Sequence, residues 1–250
     1  MGFMGTNRLH KRCALVAAVL ACAITATAAA VDVKGSLRVA TDYLEPARAQ
    51  EADAPRPYYW EEWNGFLDPR PRRVDMRREV TVALIGAAAP AETPPVTVRL
   101  WGGSLTPATI VVAPGTTVRI ENRDDFAHEL YAGELRRPLD GFSNEITSAT
   151  QARSIRLMRA GNAPIQDKLV PHLTGHVYVI PNLAAVAQPE DDGRFVLHAV
   201  AAGTYTLKVF HLGREISSQQ VQAAETREMT IDPITLARAA APRPAPPRRR

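Results

Sequence analysis

Along most of this chain apolar and polar residues alternate in short runs, and glycine or proline interrupts them about every ten residues. In 96–101, Val96, Val98 and Leu100 alternate with Thr97, Arg99 and Trp101; in 117–121, Val118 and Ile120 alternate with Thr117 and Arg119. A period of two puts one set of side chains on a buried face and the other in water, which is the pattern of a strand. Residues 31–39, 79–85 (with Val80, Val82 and Leu84 on one face), 109–112, 153–158, 175–180, 195–198 and 204–210 continue it. Pro114-Gly115, Asp192-Gly193 and Ala202-Gly203 supply turns. Short strands at this spacing predict an all-β chain folded as a β-sandwich, with one helical turn expected at 183–187. Twenty prolines, fifteen glycines and a 6% aromatic content suit strands and turns, and no Gly-X-Y period points to collagen. With 46% hydrophobic residues in 250, there is material for one or two cores.

The formal charge of +4 is carried by the two ends. Residues 1–30 hold Arg8, Lys11 and Arg12 and no acid, and 238–250 hold five arginines and no acid. Without these eight, 22 basic groups face 26 acidic ones, so the body of the chain is net acidic. A body of that sign has no global attraction for nucleic acid, which is not expected as a partner.

Residues 1–30 read as a signal peptide. The three basic groups precede an apolar stretch over 13–25, and Ala26-Thr27-Ala28 and Ala28-Ala29-Ala30 offer small-residue cleavage sites. The stretch is short and alanine-rich for a membrane span, and a retained anchor is the reading set against export. Val19-Leu20-Ala21-Cys22 resembles a bacterial lipobox, so a second route stays open: acylation of Cys22, through which alone the chain would meet a membrane. The expected location is periplasmic or secreted, soluble or lipidated. Simple cleavage removes both cysteines, Cys13 and Cys22, and leaves no disulfide, thiol nucleophile or thiolate ligand.

Residues 31–95 combine terminal strands with a loop rich in Pro, Arg and aromatics. In 58–66 five rings fall within nine residues, among them Tyr58, Tyr59, Trp60 and Trp63. They suit either a stacking platform for a glycan or peptide or hydrophobic pins that fix the loop to the sheet. Residues 238–250, built of Ala, Pro and Arg alone, cannot bury a core and read as a disordered basic tail.

Two stretches resemble known families. Residues 105–122 carry Pro107, Ile110, Val112, Gly115, Thr116, Val118 and Asn122 in the pattern P-x-x-I-x-V-x-x-G-T-x-V-x-x-x-N, and His128 follows six residues later. This resembles a cupredoxin (plastocyanin-like) domain, and implies a Greek-key β-sandwich in which His128 stands where a copper ligand is found. Residues 190–211, with Asp192-Gly193, Phe195, Leu197, Gly203, Tyr205, Leu207 and Val209, resemble the hairpin of carboxypeptidase-regulatory-like, transthyretin-type sandwiches. The implied fold over 96–237 is a cupredoxin-like sandwich merged with that hairpin.

The resemblance also implies a blue-copper ligand set of Cys, two His and an axial Met. Set against the family's C-x-x-H-P-x-M run, residues 167–173 place Asp167 for Cys, Val170 for His and Leu173 for Met. Only His128 remains, which implies a degenerate copper site and no cofactor. A colourless copper-handling site on His128, His172 and Asp167 is the alternative. His172 and His176 would share a face only in a helix, since on a strand four residues span about 13 Å. His198 and His211, at strand ends, belong to no motif.

Enzyme signatures are missing: no G-x-S-x-G elbow, no H-E-x-x-H, no phosphate loop. Asp124-Asp125 and Asp191-Asp192 read as turn acids facing water. The expectation is a non-catalytic exported envelope module whose partner is an envelope protein or polymer.

Overall fold

The computed structural model describes residues 30–41, 43, 73–86, 95–134, 137–138, 146–224 and 226–237. The expected signal peptide, Cys22, the aromatic segment with Tyr58, Tyr59, Trp60 and Trp63, and the basic tail lie outside these residues.

The described chain holds seventeen strands and one short helix. In chain order these are β1 (Val31–Val39), α1 (Met76–Glu79), β2 (Val80–Gly86), β3 (Val96–Trp101), β4 (Ser104–Thr106), β5 (Thr109–Val112), β6 (Thr116–Asn122), β7 (Leu130–Glu134) and β8 (Arg137–Pro138). There follow β9 (Ala152–Leu157), β10 (Gly161–Asp167), β11 (Thr174–Val179), β12 (Leu183–Ala187), β13 (Arg194–Val200), β14 (Gly203–His211), β15 (Arg214–Ala223), β16 (Glu228–Thr230) and β17 (Ile234–Leu236). The all-β sandwich expected from the alternation is what forms.

The strands make two sandwiches, each around its own core. In the inner one, a β4-β3-β6-β9 sheet faces a β5-β11-β10-β7-β8 sheet. Leu100, Leu105, Ile120, Leu130, Leu157 and Ile165 fill the space between them. β3 and β6 run parallel, as do β5 and β11, so neighbouring strands are joined by connections that cross between sheets. This arrangement is consistent with the Greek-key, cupredoxin-like sandwich.

The outer sandwich packs β12-β2-β14-β15 against a sheet in which β1 pairs with β13 and, in parallel, with β16 and β17. Its core holds Val33, Val82, Leu84, Phe195, Leu197 and Leu207. Gly35 makes room there, since a Cβ on it would stand 2.4 Å from the Phe195 ring. All inner strands fall between β2 and β12, so the inner sandwich is an insertion in the outer one. A single merged sandwich over 96–237 is therefore not what forms. β13 pairs with β1 and β14 with β2, both far upstream, and β14 also pairs with β15 just after it.

Two further expectations change for the same reason. Residues 190–211 put Phe195, Leu197, Tyr205, Leu207 and Val209 in one core, but not as a hairpin. β13 pairs with β1 and β14 with β2 and β15, so the chain arches from one sheet to the other after Ala199, whose φ is 55°. Residues 183–187 form strand β12, not a helical turn, because the edge of β2 takes them as an antiparallel partner. A five-residue Leu-Ala-Val run is ambiguous until such a partner exists.

β2 joins the two halves. Val82 and Leu84 face the outer core while Thr81 and Ala83 face the inner sandwich, so both sides are buried. Thr81 donates to the Thr109 carbonyl at 2.7 Å, and Thr109 donates to the Glu79 carbonyl at 2.5 Å. The Tyr178 and Phe210 rings meet beside them at 4.3 Å. Among the described residues no helix is long and apolar enough to cross a membrane.

Candidate functional site

β6 ends at Asn122, and this side chain shapes the loop that follows. Its amide donates to the carbonyls of Phe126 (2.7 Å), Ser148 (3.0 Å) and Thr147 (3.2 Å), while its oxygen accepts from the Asp124 N–H. The loop is thereby wound back over the end of the sandwich, with His128 directed inward. His128 pairs by its backbone with Thr147, packs its ring under Phe126 at 4.9 Å, and is fully buried.

β10 delivers the second residue. Its last position, Asp167, lies opposite Leu130 of β7, and this register sets Asp167 beside His128. The Nδ1 of His128 is 2.6 Å from an Asp167 oxygen, and its Nε2 is 3.0 Å from Asp124. The other Asp167 oxygen accepts the N–H groups of Leu169 (2.8 Å), Glu129 and Val170 (3.2 Å each). Asp124 accepts those of Gly102 at 2.6 Å and Gly103 at 3.0 Å. Burial pushes the Asp124 carboxyl up, but the Gly103, Gly102 and His128 bonds outweigh it and hold it below the ordinary carboxylate range.

Both ring nitrogens of His128 therefore face carboxylate oxygens. An ionised carboxylate only accepts, so an imidazole N–H donates in at least one of these two contacts. The site is a buried, fully bonded Asp–His–Asp row of charge-assisted hydrogen bonds. Both ring nitrogens are engaged by these bonds, and the ring is buried.

Of the expected metal ligands, His128 and Asp167 are brought together. His172 is exposed and stands over Gly103, its Nε2 3.0 Å from where a Cβ there would lie. Asp124, read from sequence as a turn acid, is the residue missed; its signal was the spacing of four to His128. Asp125 beside it is exposed, as a turn acid should be. His211, assigned no motif, is buried in a second polar cluster between the sandwiches, bonded to Tyr43 at 2.6 Å and Glu79 at 3.1 Å.

The residues do not fit the thiolate copper centre implied by the cupredoxin resemblance. The Cys position is a carboxylate already committed to four donors. Val170 and Leu173 are apolar members of the inner core, and the two carboxylates lie on opposite edges of the imidazole instead of converging on one point. Among the described residues, no three His, Cys, Asp or Glu are grouped to hold a metal ion.

No protein-family model matches this sequence, and no curated protein does. Among solved structures, the chain is similar to amicyanin from Paracoccus versutus at 22% identity, over 41% of this chain and 99% of that one, with a TM-score of 0.30. It is similar to a purple cupredoxin from Nitrosopumilus maritimus at 16%, over 34% of this chain and 99% of that one, with a TM-score of 0.30. It is also similar to a copper-containing nitrite reductase from Thermus scotoductus at 24%, over 38% of this chain and 24% of that one, with a TM-score of 0.31.

Proposed function

We propose that this chain is a non-catalytic binding or structural module of the cell envelope, exported to the periplasm or secreted, with a degenerate copper site closed by its own carboxylates. The observation that carries the reading is the state of His128: buried, with Asp167 and Asp124 on its two nitrogens. To bind a metal, the imidazole would have to shed a carboxylate and expose a nitrogen, leaving a charged group unpaired in the interior. The signal-like sequence of residues 1–30 and the net acidic body support the location and the absence of a nucleic-acid role. Lipidation at Cys22 and glycan or peptide binding through Tyr58, Tyr59, Trp60 and Trp63 belong to the same proposal as its open branches.

The test is a Cu(II) and Zn(II) titration of the purified mature chain, with metal content measured after dialysis. The expected result is no stoichiometric binding at micromolar metal and no change on His128→Ala beyond a loss of stability. One-to-one copper binding that is lost in both His128→Ala and His172→Ala would overturn the reading in favour of copper handling.

A further inference from the structure

The outer face of the β4-β3-β6-β9 sheet is unlike the rest of the molecule. Alternation along β3 and β6 sends Arg99, Trp101 and Arg119 outward, and Arg123 continues the row just past β6. Arg99 is opposite Glu121 in the parallel β3–β6 register, and Thr117 is opposite Arg156 on β9, so these side chains share one face. The indole of Trp101 is 76% exposed. Neighbouring strands lie about 4.8 Å apart and alternate residues about 6.6 Å apart, so the face is a platform about 14 Å across.

Its charge is unbalanced. Glu121 is the sole acid among the outward positions of β3, β6 and β9, and three arginines share it: Arg123 at 2.9 Å, Arg119 at 3.1 Å and Arg99 at 3.8 Å. Each of the three guanidinium side chains remains more than half exposed. Arg156 spends its Nε on the Gly115 carbonyl. Four cations against one anion leave a local excess of three positive charges on a body that is net acidic. A concavity of about 420 Å³ opens at the edge of this face between Arg119, Arg123 and the Thr150-Gln151 turn.

We infer that this face binds a carboxylated polysaccharide. Guanidinium forks match carboxylates in two-point geometry and remain charged at any working pH. An exposed indole offers a flat apolar surface for the C–H face of a sugar ring, and Thr97, Thr106 and Ser154 line the same sheet with hydroxyls for those of the sugar. A peptide would need apolar pockets for alternate side chains, whereas apart from Trp101 the outward side chains of β3, β6 and β9 are polar, charged or small. A long nucleic acid would be repelled by the acidic body once it extended past a platform of this size.

The inference depends on the envelope reading only for where the polymer is met. It would fail on variants that leave the copper titration unaffected, so the two can be refuted separately. The experiment is calorimetric titration of the full chain with polygalacturonate, with neutral dextran as control, at low and high NaCl. Expected are binding to polygalacturonate alone, weakening with salt, and a loss of about tenfold in the Arg119→Gln, Arg123→Gln double variant. Trp101→Ala should weaken binding severalfold and leave its salt dependence unchanged. All of these side chains are exposed, so unfolding midpoints should match wild type. A chain with its five tail arginines changed to Gln should bind as wild type does. Absence of polygalacturonate binding, loss that follows the tail and not the face, or tighter binding of an oligonucleotide through the same arginines would each overturn the inference.

Discussion

Replacing Asp167 by Asn tests whether the buried row holds the inner sandwich together. The change keeps shape and removes one acceptor. In the native site one oxygen faces His128 at 2.6 Å while the other takes the N–H groups of Glu129, Leu169 and Val170. An amide has one acceptor and one donor end, so either the imidazole N–H or the three backbone N–H groups must face an NH₂. Breaking a buried charge pair from one side costs about 3–5 kcal/mol. For a chain of this size that is a fall of roughly 10 °C in melting temperature. Urea unfolding followed by circular dichroism measures it, with Asp192→Asn as control. That exposed carboxylate also bonds a backbone N–H, of Arg194 at 3.0 Å, yet its loss should leave the midpoint in place. In a His128→Leu background the Asp167→Asn cost should shrink, because no imidazole then faces the amide. A loss below about 1 kcal/mol, or an equal loss in both backgrounds, would refute the view that the row is a stabilising network.

Two other perturbations probe the outer sandwich and its junction with the inner one. Burial holds the His176 imidazole below its ordinary value, and its Nε2 has no hydrogen-bond partner. The unfolded chain then takes up the proton first, so stability should be full above about pH 6.5 and decline as pH falls towards the folded value. Urea midpoints at pH 7 and pH 5 should differ less in His176→Phe than in wild type, and an unchanged difference would refute the assignment. Gly193 has φ of +83°, and a Cβ there would lie 2.3 Å from the Leu37 carbonyl oxygen. Gly193→Ala should cost at least about 2 kcal/mol in urea unfolding, and a near-neutral result would mean that the turn before β13 can shift away from β1.

Periodicity alone located the strands that alternate cleanly. β3, β6 and β14 are legible because each buries one face, and Val98, Ile120 and Leu207 occupy the buried positions as expected. Strands that are mostly polar or carry a proline were not legible. β15 is mostly polar (REISSQQVQA) and is a strand because β14 supplies a nine-pair antiparallel ladder, from Gly203↔Ala223 to His211↔Arg214. β10 carries Pro164 in its interior, tolerated where β11 is its neighbour and β7 has not yet joined.

The candidate site divides in the same way. That His128 and Asp167 hold related positions could be read along the chain, since each lies at a fixed offset from a recognisable strand. That they bond each other, that Asp124 closes the other nitrogen, and that Val170 and Leu173 belong to the core depended on strand register. The sequence by itself determined an all-β sandwich, its alternating core and the charged ends, because composition and period are local properties. Only the tertiary structure decided that there are two sandwiches, one inserted in the other, and that two carboxylates enclose one imidazole. Those outcomes follow from pairing between segments more than a hundred residues apart in one case and about forty in the other, a distance over which no local pattern carries information.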